Sequence, residues 1–477
     1  MRRKIMDELV EWKESGRRVC PIIRGARQVG KTYIVSEFAK EHYRSFVYFD
    51  LSNDLLARTA FDGDRTVDSI VMKLSSMRET DRFIPHETLI FLDEIQDCPN
   101  ARASLKSFAV DGRYDVIASG SLLGLRKYDV PSYPVGYEEI HEMHPMDFEE
   151  FVWALGMGER VLEHVKSCIR ARKPIGDEVL GILTEYTKWY MIVGGMPEAV
   201  LEFVKQRKFD GVRRIHKKIM QDYINDIAKH AERNQRTNIN GCFESISIQL
   251  GRDNKRFRYS DVEKGGSGTA GRRDYSYALN WLEEAGISTP CFRVSNPVMP
   301  IEESYKGNLF KLYLFDTGLL LSKYSPPVRT AILNGDTDVN KGAVAENLVA
   351  QMIASQDRPL YYYAREKDDE GKKDCLEVDF LLSTENGVVA IEVKSGNNRD
   401  HRSLNKIMDE YGTGGLMLET RDIFVDDRDI IHMPLFAAAF LDCIYPPDDR
   451  EADFGLTEKL NSMFERDFSP SSRSSSP

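Results

Sequence analysis

The chain has 477 residues, of which 42% are hydrophobic and 30% are charged, a balance typical of folded globular proteins. That composition excludes collagen-like, wholly disordered and small disulfide-rich proteins, and at about 150 residues per domain the length predicts about three domains. Acidic residues outnumber basic ones by 76 to 65, a net charge of −11, so any contact with nucleic acid must come from a local basic face.

The sequence also indicates where the protein works. No apolar stretch approaches the roughly 20 residues that a membrane-crossing helix needs, and the N-terminus lacks the apolar core and cleavage site of a secretory signal. The seven cysteines are scattered and never form a C-x-x-C pair, which favours reduced thiols over a disulfide or zinc framework. We therefore expect a cytoplasmic protein without membrane contact, in which any metal site uses oxygen ligands.

Residues 1–150 alternate β-rich and helix-like segments. The β-rich runs are VCPII, SFVYFDL, TLIFLDEI and DVIASGS, and helix-like stretches such as KTYIVSEFAKEHY stand between them. Strands separated by helices imply right-handed crossovers, and hence a parallel sheet covered by helices on both faces. The sequence thus predicts an α/β fold whose first 150 residues form a nucleotide-binding domain.

A phosphate-binding loop follows the first β-rich run. The octet GARQVGKT satisfies G-x-x-x-x-G-K-[ST] at every fixed position, and its strand-like and helix-like flanks disfavour a glycine turn that fits by chance. In such a loop backbone N–H groups surround the β-phosphate, Lys31 bridges the β- and γ-phosphate oxygens, and Thr32 offers its hydroxyl to Mg²⁺. The predicted nucleotide-binding residues of this loop are Gly25, Ala26, Arg27, Gln28, Val29, Gly30, Lys31 and Thr32.

The run TLIFLDEI ends in two acids, the form expected of a Walker B strand. A strand buried on both faces places Asp93 at its carboxyl end beside the phosphates, where it can hold the magnesium shell, and Glu94 can polarise the attacking water. Both acids could instead cap a following helix. The next run ends in Ser119 and Ser121, where a hydroxyl could bind the γ-phosphate, although Ser-Gly-Ser also forms ordinary turns.

The rest of the chain changes character several times. Residues 151–235 carry long amphipathic stretches that predict a helical appendage, and residues 236–325 carry two helix-like stretches and a hairpin, as in a winged helix. The segment SPPVRTAILNGDTD has the composition of a linker. Residues 335–447 mix helices and strands and predict a second α/β domain, while the serine-rich end at 466–477 predicts a disordered tail.

Two basic stretches are candidates for contact with DNA or RNA. Residues 205–218 carry seven basic residues against one acid, and there we favour a solvated face. The second stretch lies in the predicted winged helix and could contact a phosphate backbone without reading sequence, with a solvated, flexible loop as the equal alternative. Its residues of interest are Arg256, Arg258, Tyr259, Arg272, Arg273 and Tyr275.

A second group of acids lies in the C-terminal segment. Glu346 falls in a helix-like run, Asp379 in LEVDFLLS, and Glu392 with Lys394 in VVAIEVKSG, an order that resembles the PD-D/E-x-K nuclease folds. Residues two apart on a strand share a face, so Glu392 and Lys394 converge. The three carboxylates could hold Mg²⁺ for phosphodiester hydrolysis while Lys394 steadies the water or the phosphate. The alternative is a solvated Glu–Lys pair on an ordinary strand.

Together these motifs resemble the prokaryotic AAA-like P-loop ATPases that carry a C-terminal domain of unknown function with a nuclease-like fold. The resemblance covers almost the whole chain through GARQVGKT, FLDEIQ, ASGS, PVGYEEIHEMHPMDFEEF, VGGMPEAV, WLEEAGI and KLYLFDTGLL. It implies an ATPase domain, a winged helix and a restriction-endonuclease-like α/β domain, in that order. The chain departs from many relatives at Tyr137, where they have Arg or Lys, which puts in doubt a cation acting on the γ-phosphate from that position.

These features predict a Mg²⁺-dependent ATPase that binds ATP and couples nucleotide state to a nuclease-like or nucleic-acid-binding domain. The alternative is a nucleotide-gated switch or scaffold whose C-terminal domain binds a partner without cutting nucleic acid. The sequence fixes neither the substrate polymer nor the oligomeric state. The predicted catalytic residues are Lys31, Glu94, Asp379, Glu392 and Lys394, and the predicted metal ligands are Thr32, Asp93, Glu346, Asp379 and Glu392.

Overall fold

The computed structural model describes residues 1–77, 82–121, 134–262, 272–335, 341–365, 375–395 and 401–446. Within these ranges the chain forms a five-stranded sheet near the N-terminus and an eight-stranded sheet in the C-terminal half, with helices between and around them. The predicted disordered tail at 466–477 lies outside the described residues.

The N-terminal sheet is entirely parallel, as the alternation of strands and helices predicts. Its strands run in the order β2-β3-β4-β1-β5. The elements of this region are α1 Ile5–Ser15, β1 Cys20–Arg24, α2 Lys31–His42, β2 Ser45–Asp50, α3 Leu55–Thr59, α4 Val67–Met77, β3 Thr88–Asp93, α5 Pro99–Asp111, β4 Asp115–Gly120 and β5 Glu138–Glu142.

Burial on both faces of the central strands explains their aliphatic sequence. Strand β3 is buried at all six positions, and its alternate residues enter two different cores. Leu89 and Phe91 face one core, whereas Ile90 and Leu92 face the other. Because parallel strands end at the same edge of a sheet, the loops that follow β1, β3 and β4 meet there.

A helical region follows the first sheet. Asp147 and Glu150 form a capping box at the start of α6, each side chain accepting the other's backbone N–H. Glu150 also accepts a bond from Arg3, which ties this helix to the N-terminus. The helices are α6 Phe148–Ala154, α7 Glu159–Ala171, α8 Asp177–Val193, α9 Pro197–Gln206, α10 Phe209–His230, α11 Arg236–Leu250 and α12 Arg272–Glu284.

The second sheet is mixed and has the strand order β12-β13-β11-β10-β9-β8-β6-β7. Its β10 and β9 are antiparallel, and β10 and β11 are parallel. The elements are β6 Ser288–Val294, β7 Tyr305–Leu314, α13 Thr317–Ser322, α14 Pro326–Asn334, α15 Lys341–Ala354, β8 Leu360–Arg365, β9 Leu376–Thr384, β10 Gly387–Val393, α16 Arg402–Tyr411, β11 Gly414–Glu419, β12 Phe424–Val425 and β13 Ile431–Pro434.

The hairpin of the predicted winged helix does not stand alone. Strands β6 and β7 follow α11 and α12 as expected, but β6 also pairs in parallel with β8, so the hairpin continues the C-terminal sheet. The predicted linker is also not an extended segment, because most of it forms α14, with Pro326 at the helix start, a position that suits proline. Sequence periodicity cannot reveal this pairing, because it joins strands about 70 residues apart along the chain.

Buried hydrogen bonds connect these regions. Tyr190 on α8 donates to the carbonyl oxygen of Met146 at 2.6 Å and accepts from Gln351 on α15 at 2.9 Å. Gln351 in turn accepts from the backbone N–H of Thr317 at 2.8 Å. Asp316, fully buried, accepts from the backbone N–H of Gly195 at 2.6 Å. The motif runs VGGMPEAV and KLYLFDTGLL therefore pack directly against each other.

None of the described helices is long and apolar enough to cross a membrane, as the sequence predicts. The seven cysteines all fall within the described ranges and are free thiols, four of them buried.

Buried His216 predicts a loss of stability in mild acid. Its Nε2 lies 2.9 Å from the carbonyl oxygen of Val193, and burial lowers the pKa of His216 to about 4. Because the unfolded chain protonates near its ordinary value of about 6.5 while the native histidine stays neutral, stability falls as pH drops through that value. We expect the free energy of unfolding to decrease by about 2 kcal/mol from this group between pH 7 and pH 5.

Urea titrations of the wild type and of a His216→Gln variant at both pH values test this prediction. The variant should lack that part of the acid dependence, whereas His86→Asn, a change at an exposed histidine, should retain it. Equal pH dependence in the wild type and the His216→Gln variant would show that the prediction is wrong.

Candidate functional site

The loop GARQVGKT has a backbone that requires its glycines. Gly30 adopts φ 100° as it begins α2, a left-handed value that favours glycine, and Gln28 adopts φ 66°. A Cβ atom on Gly25 would lie 2.2 Å from the carbonyl oxygen of Met143, which follows β5. The loop is therefore shaped by its own glycines and by the neighbouring strand end together.

Lys31 lies inside this loop rather than in solvent. Its side chain is 6% exposed, and its Nζ donates to the carbonyl oxygens of Gly25 at 2.8 Å and Ala26 at 2.9 Å. Burial lowers the pKa of Lys31, while the carboxylates of Glu94 and Asp93 act in the opposite direction. The lysine thus lies within the field of both acids at the end of β3.

Asp93 meets the loop across the strand between them. Although β4 separates β3 from β1, the hydroxyl of Thr32 donates to Asp93 Oδ2 at 2.8 Å. The hydroxyls of Tyr48 and Ser119 also donate to this carboxylate, the first at 3.2 Å. Thus Ser119, one of the two hydroxyls suggested for the γ-phosphate, instead supports Asp93.

Glu94 is held in one orientation beside Asp93. Its backbone is left-handed, with φ 52°, and its Oε2 accepts from the hydroxyl of Ser121 at 3.1 Å and from the side-chain amide of Gln96 at 2.5 Å. Burial by itself would raise the pKa of Glu94, but Lys31 and these hydrogen bonds outweigh it and hold the pKa below its usual value. Glu94 is therefore a carboxylate at neutral pH.

A cavity of about 510 Å³ opens at these residues. It joins the loop and the two acids to the first residues of the chain and to the start of α9. Proline at the start of a helix is favourable, and Pro197 there faces Gly30. The lining residues are Met1, Arg3, Arg27, Gln28, Gly30, Lys31, Thr32, Tyr33, Asp93, Glu94, Met143, Pro197, Glu198 and Leu201.

Several residues that line this cavity were not predicted from the sequence. The motif run VGGMPEAV supplies Pro197 and Glu198, and the N-terminal segment supplies Arg3. Arg3 is 6% exposed and donates to the carbonyl oxygen of Val29 at 2.9 Å, inside the phosphate loop. A buried arginine needs partners, so a basic N-terminus followed by a buried helix was the available signal.

The residues at this edge fit Mg²⁺. Magnesium is bound through one or two carboxylates together with phosphate oxygens and water, and Thr32 with Asp93 offers a hydroxyl and a carboxylate side by side. Among the described residues no group of three or more His, Cys, Asp and Glu side chains could hold a metal by itself.

The predicted C-terminal residues come together on α15, β9 and β10. Lys394 Nζ lies 2.6 Å from Glu392 Oε1, and the backbone N–H of Val393 donates to Asp379 at 2.9 Å. Burial, with the charges of Glu346 and Glu392, raises the pKa of Asp379 well above its usual range. The spacing of these residues in the sequence thus correctly indicated that they lie close together.

A lysine that the sequence reasoning missed lies among these acids. Lys311 on β7 is 1% exposed, and its Nζ lies 3.0 Å from Glu377, 3.6 Å from Glu346 and 3.8 Å from Asp379. Lys255 forms a further ion pair with Glu346. The only indication in the sequence was a lysine within the otherwise apolar and aromatic run FKLYLF.

Three parts of the chain match models of known protein families. Residues 18–152 match the family model of the AAA domain. The N-terminal part of the chain is an AAA-like P-loop domain. Models of two domains of unknown function match residues 184–325 and 341–436 of the chain. No curated protein matches the sequence.

Several solved structures are similar at low identity. A Walker-type ATPase of Pyrococcus abyssi is 14% identical with a TM-score of 0.39, over 68% of this chain and 95% of that one. The ORC1 protein of Aeropyrum pernix in complex with DNA is 11% identical with a TM-score of 0.27, over 74% and 92%. AMPPCP-bound DnaA from Aquifex aeolicus is 13% identical with a TM-score of 0.26, over 59% and 88%. These scores are too low to carry an argument of their own.

Tyr137 lies away from the nucleotide cavity of the AAA-like domain. Its carbonyl oxygen accepts from the N–H of Cys20 at 2.9 Å, and the ammonium of Lys106 lies 5.4 Å from the centre of its ring. It packs against the second hydrophobic core. Tyr137 therefore contributes to the packing of this core.

The two basic stretches differ in what they expose. Within the predicted winged helix, Arg258 and Arg273 are exposed, but Tyr275 is 2% exposed and stacks on Tyr259 at 6.3 Å between ring centres. Tyr275 is therefore a core residue and not a platform for a base. In the range 205–218 the lysine and arginine side chains are exposed on α9, on α10 and at the two residues between these helices.

We expect removal of the buried Lys311 cation to destabilise the protein. A Lys311→Met variant leaves Glu346 and Asp379 buried without their shared partner, and losing one member of a buried charge cluster costs about 3 to 5 kcal/mol. Lys306→Met alters an exposed lysine on the same strand and should change stability by less than about 0.5 kcal/mol. Urea unfolding of both variants measures this, and similar small effects would contradict the prediction.

Proposed function

We propose that the protein binds ATP with Mg²⁺ and hydrolyses it at the P-loop. The observation that carries this proposal is the 2.8 Å hydrogen bond between Thr32 and Asp93, next to Lys31 and Glu94, in one cavity. This contact supports a site arranged for phosphoryl transfer, because the loop, the metal-binding acid and a water-orienting carboxylate line the same cavity.

The side chains divide the work of binding. Backbone N–H groups of residues 25–32 would bind the β-phosphate, and Lys31 would exchange its two carbonyl partners for phosphate oxygens. Thr32 and Asp93 would hold Mg²⁺, which neutralises negative charge on the phosphates when bound. Ser121, already bonded to Glu94, would lie at the γ-phosphate end of the site.

Glu94 would orient the attacking water. Its lowered pKa keeps it ionised at neutral pH, so it accepts a hydrogen bond from water, while Ser121 and Gln96 prevent it from turning away. Orientation and electrostatic stabilisation account for most phosphoryl-transfer catalysis. A carboxylate fixed by two donors therefore suits this role better than a mobile one.

Nucleotide state could reach the rest of the chain through close contacts at the loop. Gly286, in the turn after α12, approaches so near that a Cβ there would lie 3.3 Å from the backbone N of Ala26. The start of α9 lines the same cavity. These contacts support coupling to the predicted winged helix, whose exposed Arg258 and Arg273 would contact DNA or RNA. Free thiols and ATP use favour a cytoplasmic location.

The second candidate function is a nucleotide-gated switch whose C-terminal domain binds a partner or nucleic acid without cutting it. Lys311 favours this candidate over a nuclease, because its ammonium lies within 4 Å of Glu346, Glu377 and Asp379. Lys255 and Lys394 pair with two of the remaining carboxylate oxygens. Carboxylates that are already paired with lysines are poorer ligands for a divalent cation.

We predict that Lys31→Ala weakens ATP binding at least about tenfold, because a charged partner of the phosphates is lost. Glu94→Gln should still bind ATP but hydrolyse it at least about 100-fold more slowly, since water loses its carboxylate partner. Calorimetry and phosphate release measure both effects. Lys40→Ala, at a 71% exposed lysine on the same helix, is the control and should behave as wild type. Unchanged hydrolysis in Lys31→Ala would falsify the site.

We predict that the C-terminal domain does not cleave nucleic acid. Wild type and Lys394→Ala are incubated with single- and double-stranded DNA and RNA, with Mg²⁺ or Mn²⁺, in the presence and absence of ATP. Both proteins should leave every substrate intact while the same wild-type preparation hydrolyses ATP. Cleavage by the wild type that disappears in Lys394→Ala would instead establish a nuclease and overturn the second candidate.

A further inference from the structure

One face of α10 holds the variable part of the P-loop. Gln28 donates to Asp222 at 2.8 Å, and the hydroxyl of Tyr223 donates to the carbonyl oxygen of Arg27 at 2.7 Å. The guanidinium of Arg27 pairs with Asp226 at 2.8 Å and lies 3.1 Å from His230. Since residues four apart share one side of a helix, three successive turns of α10 contact this loop.

Arg27 also belongs to the nucleotide cavity. It lines the cavity together with Lys31, Asp93 and Glu94, and its side chain is only 28% exposed. Among the described residues no acceptor bonds to its buried Nε, so one donor of the guanidinium is unused there. Its charge acts on both Lys31 and Glu94. The guanidinium therefore stands between the phosphate site on one side and Asp226 on the other.

We propose that Arg27 is a phosphate-binding residue that distinguishes ATP from ADP, and that Asp226 competes with the γ-phosphate of ATP for its guanidinium. This inference rests on the proposed function, because it concerns the same nucleotide site. It adds a cation, supplied by the loop itself, to those expected of a P-loop.

The competition has a simple physical basis. The γ-phosphate of ATP carries more negative charge than one carboxylate. It also offers three oxygens, which suit the planar guanidinium of arginine. Asp226 is 15% exposed and lies on α10, so transfer of Arg27 to phosphate would remove an ion pair from the last turns of that helix. The presence or absence of this ion pair would thus make α10 sensitive to the bound nucleotide. The next helix in the chain is α11, in the predicted winged helix.

The test compares ATP and ADP affinities by calorimetry in Mg²⁺ buffer, for the full-length wild type and three variants. Arg27→Ala should weaken ATP binding at least about tenfold and ADP binding much less, so that the ATP-to-ADP preference falls. Asp226→Asn should raise that preference, because the competing charge is gone. Lys217→Ala removes an exposed cation elsewhere on α10 and should leave the preference unchanged.

The outcomes separate this inference from the proposed function. Wild type that binds neither nucleotide would refute both. Wild type that binds ATP, with an Arg27→Ala variant of unchanged preference or with equal losses for ATP and ADP, would refute this inference alone. A reduced preference in Asp226→Asn would also overturn it, since the carboxylate would then assist ATP binding and not compete with it.

Discussion

A short relay of buried hydrogen bonds fixes the arrangement on which the rest of the structure depends. Tyr190 joins the carbonyl oxygen of Met146, near the end of the AAA-like domain, to Gln351 on α15, and Gln351 joins Thr317 at the start of α13. A buried polar group without a partner costs about 1 to 3 kcal/mol, so removing one member penalises the others. This coupling holds regions more than 200 residues apart in one packing arrangement.

The candidate nucleotide site depends on that arrangement. Its phosphate loop is local in sequence, but the loop's surroundings are not: Met143 covers Gly25, Pro197 faces Gly30, and α10 holds Arg27 and Gln28. Any change in the loop on nucleotide binding must therefore be accommodated by elements from the helical region. Under the proposed function, such a change would reach the helical region as well as the loop.

The C-terminal cluster illustrates how a sequence pattern can find a place without fixing its chemistry. Glu346, Asp379 and Glu392 converge as an acid set should, yet Lys311 enters the same space from β7. That strand belongs to the hairpin of the predicted winged helix and reaches the acids only because the hairpin joins the second sheet. The order of the acids in the sequence therefore does not by itself determine the chemistry of the cluster.

The sequence by itself determined the parallel sheet, the phosphate loop and the acids of β3, because fixed spacing and unbroken aliphatic runs are local properties. It also indicated that Glu392 and Lys394 lie close together at the end of β10, since side-chain direction alternates along a strand. Only the tertiary structure decided that Arg3 and Pro197 line the cavity, that Tyr275 is buried and that Lys311 lies among the acids. These outcomes depend on contacts between segments far apart in the chain, and no local periodicity encodes them.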